Sequence, residues 1–399
     1  MMLKLTDCLA KILKENNIKN IFGLQGGAVV HIFDSLEKFK FNVTYTNHEQ
    51  SAGLAAVASA KIENKMGCAV VTTGPACTNV MTGLLAAWQD SVPTIFISGQ
   101  ARSNHTSYGK KVRQVGTQEV NICDIVRPLT KYAVFINKKE NFIKELDKAI
   151  NIAKSGRQGP VWLDIALDIQ WSSINFKRKK PFKKKNNKKI KSKNFVNLYQ
   201  KSKKPLLVIG YGVRSNTNIL KKLHKLINKH KLNYVSTWNA ADIFGTGFEK
   251  NLGIIGMSGQ RGANKAIFDS DLLICLGTHL SIPHTTTLYK DYAKNAKKVI
   301  VNIDKDQLNN LNLKFDLKIN FDLNNFLDFF IKIKKKNKEF WITDVFKKQN
   351  WYTPKITKKP NSDLFINLLT KKIKNKCIIV DGGGTALYSG FQSSYLYNG

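Results

Sequence analysis

Short apolar runs of strand length alternate with helically spaced apolar residues along the first 170 residues, and this alternation constrains the fold most. Leu5, Cys8, Leu9, Ile12 and Leu13 mark one face of a first helix, with Thr6 or Asp7 near its start. Residues 20–24 read as a strand that breaks at Gln25-Gly26-Gly27, and a helix is expected from Ala28 to Glu37. A strand over 41–46 runs into His48-Glu49-Gln50, then into a helix over 51–60 made almost wholly of small residues. Buried strands are expected over 68–73, 94–98 and 161–165, with a loop over 74–79 and a helix over 80–88. Strands joined by helices of this length form a parallel sheet with helices on both faces.

A lysine-rich run from Lys177 to Lys193 interrupts the pattern, which then restarts with a glycine-ended strand at 205–209 and further strands at 272–276 and 299–303. The expected class is therefore α/β, with tandem doubly wound parallel-sheet domains. The spacing predicts a first domain over 1–172, a basic linker over 173–195, a central α/β domain over 196–332 and a second linker over 333–360. A third α/β unit opens at 361–399 with a helix over 363–373, a strand over 377–380 and the loop Asp381-Gly382-Gly383-Gly384. It is read as incomplete.

No apolar run is long enough to span a membrane, and the start carries no secretion signal, so a cytoplasmic protein without membrane partners is expected. The cysteines Cys8, Cys68, Cys77, Cys123, Cys275 and Cys377 lack metal-type spacing, which argues against zinc and disulfides. The formal net charge of +36 suggests nucleic acid at first sight. However, only 7 of the 64 basic residues are arginine, whose planar fork suits phosphate and base recognition better than lysine. The excess lysine is read as solvated surface and linker, with no nucleic-acid partner.

Taken on their own, the local motifs leave alternatives open. Gly210-Tyr211-Gly212 holds two glycines of a dinucleotide fingerprint but Ser215 in place of the third, so close strand-to-helix packing explains it equally well. Asp304, after a strand, binds a ribose or caps the next turn. Glu49 stands where a strand becomes a helix, at the edge where open parallel sheets place ligands. It is a site carboxylate or simply a residue favoured by the helix dipole. The small residues after it admit a flat ligand or another backbone.

The order Phe22-Gly23-Leu24-Gln25-Gly26-Gly27, Asn47-His48-Glu49-Gln50-Ser51-Ala52, Thr73-Gly74-Pro75-Ala76-Cys77-Thr78-Asn79, Asp90-Ser91-Val92-Pro93, Ile97-Ser98-Gly99-Gln100 and Thr117-Gln118-Glu119-Val120 resembles thiamine-diphosphate enzymes of the acetolactate synthase type. The resemblance covers nearly the whole chain. It implies thiamine diphosphate as cofactor, held by Gln25, Glu49, Thr73, Gly74, Pro75 and Asn79. Glu49, Gly26, Gly27 and Gln118 would be the catalytic residues. Glu49 would hydrogen-bond N1′ of the aminopyrimidine and so favour the tautomer that removes the C2 proton of the thiazolium. The implied reaction is decarboxylation of a 2-keto acid, pyruvate first, with carboligation to an acceptor carbonyl. A simple decarboxylase, a sugar-directed carboligase and a non-catalytic regulatory fragment are the alternatives.

Departures from the family pattern carry expectations of their own. Ala76 replaces a glycine and Gln25 a proline. The segment Gly277–His284 lacks the arginines of FAD-binding relatives, which argues against FAD. No Gly-Asp-Gly segment with a later Asn is present, so Mg2+ ligands are expected in a missing C-terminal part. A truncated chain is preferred to a split enzyme. The family also implies a homodimer or homotetramer.

Overall fold

The apolar stretches at 67–71, 94–100 and 161–166 are buried along their whole length, as strands covered on both faces must be. The computed structural model describes residues 2–178, 190–287, 289–334, 346–347, 359–373 and 384–397. The expected strand over 377–380, most of the loop at 381–384, Cys377 and parts of both linkers lie outside the described residues. The chain divides into two compact units, Met1–Lys185 and Asn186–Gly399.

In the first unit, β2 (Asn20–Gly23), β3 (Asn42–Tyr45), β4 (Gly67–Val71), β5 (Thr94–Gln100), β6 (Tyr132–Ile136) and β7 (Val161–Ala166) form one sheet. Its order is β3-β2-β4-β5-β7-β6, and every neighbouring pair is parallel. A separate antiparallel pair joins β1 (Met2–Lys4) to β8 (Ser173–Asn175).

Helices cover both faces. On one face, α1 (Leu5–Glu15), α2 (Val30–Lys38) and α7 (Phe142–Lys154) contribute to a core with Val70, Ile97 and Leu163. The α1 stripe is buried as its spacing predicts. Each such leucine or isoleucine contributes roughly 1.5–3 kcal/mol of transfer free energy. On the other face lie α3 (Glu49–Glu63), α4 (Pro75–Asn79), α5 (Met81–Gln89) and α6 (Ile122–Val126). There Trp162 stacks on Phe96 with ring centroids 5.6 Å apart. The small-residue helix admits another backbone: a Cβ on Gly83 would lie 2.4 Å from the Gly53 carbonyl carbon. The glycines let α3 and α5 touch.

Three expectations are corrected. Residues 173–175 are strand β8, because they pair with β1 instead of entering the linker. Residues 75–79 are a short helix instead of a loop: Gly74 turns at positive φ and Pro75 starts the first turn. Ala76, with helical backbone inside α4, needs no glycine. Arg178 is not a free linker charge, since its guanidinium pairs with Asp147 at 2.6 Å and also with Glu15.

The second unit holds another six-stranded parallel sheet, ordered β11-β10-β9-β12-β13-β14. Its strands are β9 (Pro205–Ile209), β10 (Asn233–Ser236), β11 (Asn251–Ile254), β12 (Leu272–Leu276), β13 (Lys297–Asn302) and β14 (Leu317–Asn320). The glycine-ended strand β9 is explained by packing, because a Cβ on Gly210 would lie 2.5 Å from the Gly277 carbonyl oxygen. Asp304 is engaged as a cap, its Oδ1 accepting from the amides of Asp306 and Gln307 at 3.0 and 3.1 Å. The helix expected over 363–373 is found as Ser362–Lys372.

The thiols of Cys8, Cys68, Cys77, Cys123 and Cys275 are buried and unpaired. Among the described residues, no helix is long and apolar enough to cross a membrane.

Candidate functional site

The strand order of the first unit contains a reversal. From β2 the chain moves outward to β3, whereas from β4 it moves the other way to β5. The two connections diverge, so a crevice opens beyond the carboxyl ends of adjacent β2 and β4. Gln25-Gly26-Gly27 follows β2, Thr73-Gly74-Pro75 follows β4, and Glu49 begins the helix after β3. Three of the sequence motifs thus meet at one edge because of topology alone.

Glu49 occupies the first turn of α3, where the amide dipoles favour a negative charge. His48 caps this helix, its Nδ1 accepting from the Gln50 amide at 3.1 Å. Glu49 is half-buried, and its Oε2 accepts from Asn79 Nδ2 at 3.0 Å. That bond turns the carboxylate towards α4.

On the β2 side, Gly26 abuts Thr72, whose Cβ would be 2.6 Å from any Cβ at position 26. Gly27 is different, for nothing lies within 4 Å of the place its Cβ would take. One glycine permits close packing and the next leaves open space. Gln25 is exposed beside them. Behind the turn, Gln170 Nε2 donates to the Ala28 carbonyl at 2.7 Å.

Gly74 has φ +67°, and a Cβ there would lie 2.2 Å from the Gln118 carbonyl oxygen. Gln118 itself sits at φ +57° with an exposed side chain. Thr73, nearly buried, lies with its hydroxyl 2.9 Å from Gln100 Oε1 and 3.4 Å from the Gln118 carbonyl. Next to it, Glu119 is buried and accepts from Ser107 Oγ and the Val115 amide at 3.0 and 2.8 Å. The loop 115–119 therefore presents Gln118 on one side while its neighbour anchors it on the other.

A thiamine pyrophosphate enzyme N-terminal TPP-binding-domain profile matches residues 3–125, and the central-domain profile of the same enzymes matches residues 193–329. The chain belongs to the thiamine pyrophosphate enzyme family. It is 31% identical over 311 residues to the acetolactate synthase large subunit of Haemophilus influenzae, covering 75% of this chain and 52% of that protein. It is 28% identical over 411 residues to a probable acetolactate synthase large subunit of Methanocaldococcus jannaschii, covering 97% and 68% respectively. With the acetolactate synthase large subunit of Lactococcus lactis it shares 30% identity over 346 residues, covering 84% and 58%. The chain thus spans between about half and two thirds of the length of these curated relatives.

For a thiamine pyrophosphate enzyme, the donor set at the crevice fits the cofactor. A half-buried carboxylate steadied by an amide can share a proton with a ring nitrogen, and the space beside Gly27 leaves room for a bound group. Among the described residues, no group of three His, Cys, Asp or Glu side chains could hold a metal ion. Sequence reasoning passed over Thr72 and Gln170 and gave no role to Gln100, although it lies in the motif Ile97-Ser98-Gly99-Gln100; all three brace this edge from behind. The signal for the close approach here is Gly99, where a Cβ would lie 1.8 Å from the Ala28 carbonyl oxygen.

Proposed function

We propose that this thiamine pyrophosphate enzyme decarboxylates a 2-keto acid, pyruvate first among candidates, and transfers the remaining fragment to an acceptor carbonyl. The observation that carries the reading is the Glu49–Asn79 pair at the first turn of α3, inside the segment that matches the TPP-binding domain. When bound, thiamine diphosphate supplies an electron sink for the pair released as carbon dioxide leaves. Glu49 holds a proton between its carboxylate and the aminopyrimidine ring. Asn79 fixes Oε2 by donating to it, which leaves Oε1 to accept that proton. Gly26 and Gly27 keep the wall low where the keto acid enters, Gln118 faces the same space, and Gln25, Thr73, Gly74 and Pro75 line it.

Two phosphates call for a divalent cation with oxygen ligands, and this reading assigns Mg2+ ligands outside the described residues. It also takes the enzyme as cytoplasmic and at least a homodimer. It does not call for FAD. The second unit has a cavity of about 340 Å3 lined by His279, Ser281, Gln307, Asn310 and Asn312 together with apolar groups, and no arginine or lysine lines it. The absence of arginine from Gly277–His284 supports a second reading, in which the acceptor is a sugar carbonyl or no acceptor is used.

Calorimetric titration of the 399-residue chain with thiamine diphosphate and Mg2+ tests the binding. Product analysis with pyruvate, alone and with a second keto acid or an aldose, tests the reaction. Saturable binding that weakens in Glu49→Gln supports the reading. Equal affinity of the wild-type chain and Glu49→Gln counts against it.

A further inference from the structure

The first unit contains a carboxyl group that the proposed chemistry does not use. Asp164 lies in mid-strand on β7, between β5 and β6, with no surface exposed. Burying an anion costs several kcal/mol unless its lone pairs are bonded. Three neutral donors meet it: Ser98 Oγ reaches Oδ1 at 2.7 Å, while Gln100 Nε2 and Tyr108 Oη reach Oδ2 at 2.9 and 3.1 Å. Burial outweighs those bonds and pushes the carboxyl up to about 7. The other titratable groups facing this cluster are Cys77 of α4, Cys123 of α6 and Glu119 of the loop before α6.

The bonds lead from this carboxyl to the crevice. The Gln100 amide has a donor end and an acceptor end, and its partners decide which way it faces. Its Nε2 donates to Asp164 and, at 2.9 Å, to the Val120 carbonyl. Its Oε1 thereby turns to the Thr73 hydroxyl and the Ala101 amide, both at 2.9 Å. Thr73 Oγ1 lies in turn 3.4 Å from the Gln118 carbonyl. Tyr108, the third donor, accepts from the Cys123 amide at 3.2 Å. The bonds of one buried acceptor's partners thus reach the segment 118–123 at the Val120 carbonyl and the Cys123 amide, while Thr73, its one hydroxyl proton given to Gln100, only packs against the Gln118 carbonyl. A reversed Gln100 amide would set its oxygen against those of Asp164 and Val120 and its NH2 against the Ala101 amide.

We propose that Asp164 is the positioning residue for Gln118, holding segment 118–123 against the Gly74 turn through Gln100, Thr73 and Tyr108. Its relevance to catalysis rests on the placement of Gln118 in the cofactor crevice, whereas the bracing itself does not.

Amide hydrogen exchange on the 399-residue chain without cofactor tests the bracing. The reporters are Ala101, Cys123 and segment 118–123, with strands β9 and β12 of the second unit as internal reference. Asp164→Leu removes every acceptor, and Asp164→Asn keeps an oxygen for Gln100 while abolishing the charge. At pH 7, Asp164→Leu is expected to raise exchange of the reporters at least tenfold and leave the reference strands unchanged. Asp164→Asn should stay within threefold of wild type.

The pH profile separates positioning from generic packing. Ionisation of a buried carboxyl favours the opened, hydrated state, so wild-type protection of the reporters, corrected for intrinsic rates, falls as pH rises from 6 to 8. Asp164→Asn should show no such slope. Wild-type protection retained in Asp164→Leu, or an unchanged slope in Asp164→Asn, overturns the proposal. Should Asp164→Leu fail to fold, Gln100→Leu cuts the relay one link further on. It must produce the same local loss, and unchanged protection in that variant is equally fatal. Thiamine diphosphate titration of the same variants tests the functional reading separately. Lost protection with unaltered cofactor affinity leaves the bracing proposal standing and counts against Thr73 as a residue that holds the cofactor.

Discussion

The side-chain amide of Asn79 donates to Glu49 Oε2 at 3.0 Å, joining two helices that follow different strands and lie 30 residues apart in sequence. Asn79 is exposed and Glu49 half-buried, so the bond competes with water and belongs at the low end for a charged acceptor, about 1.5 kcal/mol. Asn79→Ala should therefore lower turnover roughly tenfold, with thiamine diphosphate affinity nearly unchanged. Steady-state kinetics beside a cofactor titration would show it, and equal turnover in the two proteins would reduce the bond to a helix-end contact.

Glu49→Gln keeps the shape and the bond from Asn79 but loses the ability to take a proton. A positioned acid–base group typically contributes about 10²–10⁴-fold. Deuterium exchange at C2 of bound thiamine diphosphate, followed by proton NMR, should slow by that order while binding survives. An exchange rate equal to wild type would falsify the assignment of Glu49.

Two glycines at the same edge should respond in opposite ways. A Cβ on Gly99 would lie 1.8 Å from the Ala28 carbonyl oxygen, with backbone unable to yield cheaply. Gly99→Ala is expected to lose about 3 kcal/mol or fail to fold. Gly27 has nothing within 4 Å, so Gly27→Ala should leave stability within about 0.5 kcal/mol yet raise the KM for the keto acid. Urea melts and kinetics on the pair read both quantities. The assignment is in trouble if Gly27→Ala proves indifferent in KM.

The second unit should be acid-sensitive through His284. Burial holds this imidazole down at about 4, its Nδ1 lies 3.0 Å from Ser281 Oγ, and its Nε2 has no partner. The unfolded chain takes up a proton near the ordinary histidine value of about 6.5. Between those two values the unfolded state binds more protons, so stability rises with pH and is lost as pH falls from 6.5 towards 4. The limit is on the order of 3 kcal/mol. Urea midpoints from pH 4 to 7 should show this slope in wild type and a shallower one in His284→Phe. Parallel slopes would exclude His284 as the source.

Legibility from sequence followed burial. The stripe Leu5, Cys8, Leu9, Ile12 and Leu13 is a helix face because its spacing records one-sided burial. Strands β4, β5 and β7 were evident because both their faces are covered. Edge strands β6, β11 and β14 were missed, being only four or five residues long, with half-exposed positions in β6 and β14 and a glycine inside β11; β10, though buried and interior, was missed as well, its four residues Asn233-Tyr234-Val235-Ser236 being half polar. Helix α4 read as a turn because five residues opened by a proline carry no periodicity. At the site, Glu49, Gly26, Gly27 and Gln118 were named from motifs, Gln100 stood in a motif without a role, and Asp164 looked like an ordinary strand position.

Local order decided that this chain makes two parallel α/β sheets and that a carboxylate begins the helix after β3, because periodicity and strand-end chemistry are written in consecutive residues. Only the tertiary structure decided that β2 and β4 are neighbours, that Asn79 meets Glu49, and that Ser98 and Gln100 meet Asp164 across 66 and 64 residues. Such pairings depend on the order in which strands join the sheet. That order follows from the packing of whole faces, a property that no single segment carries.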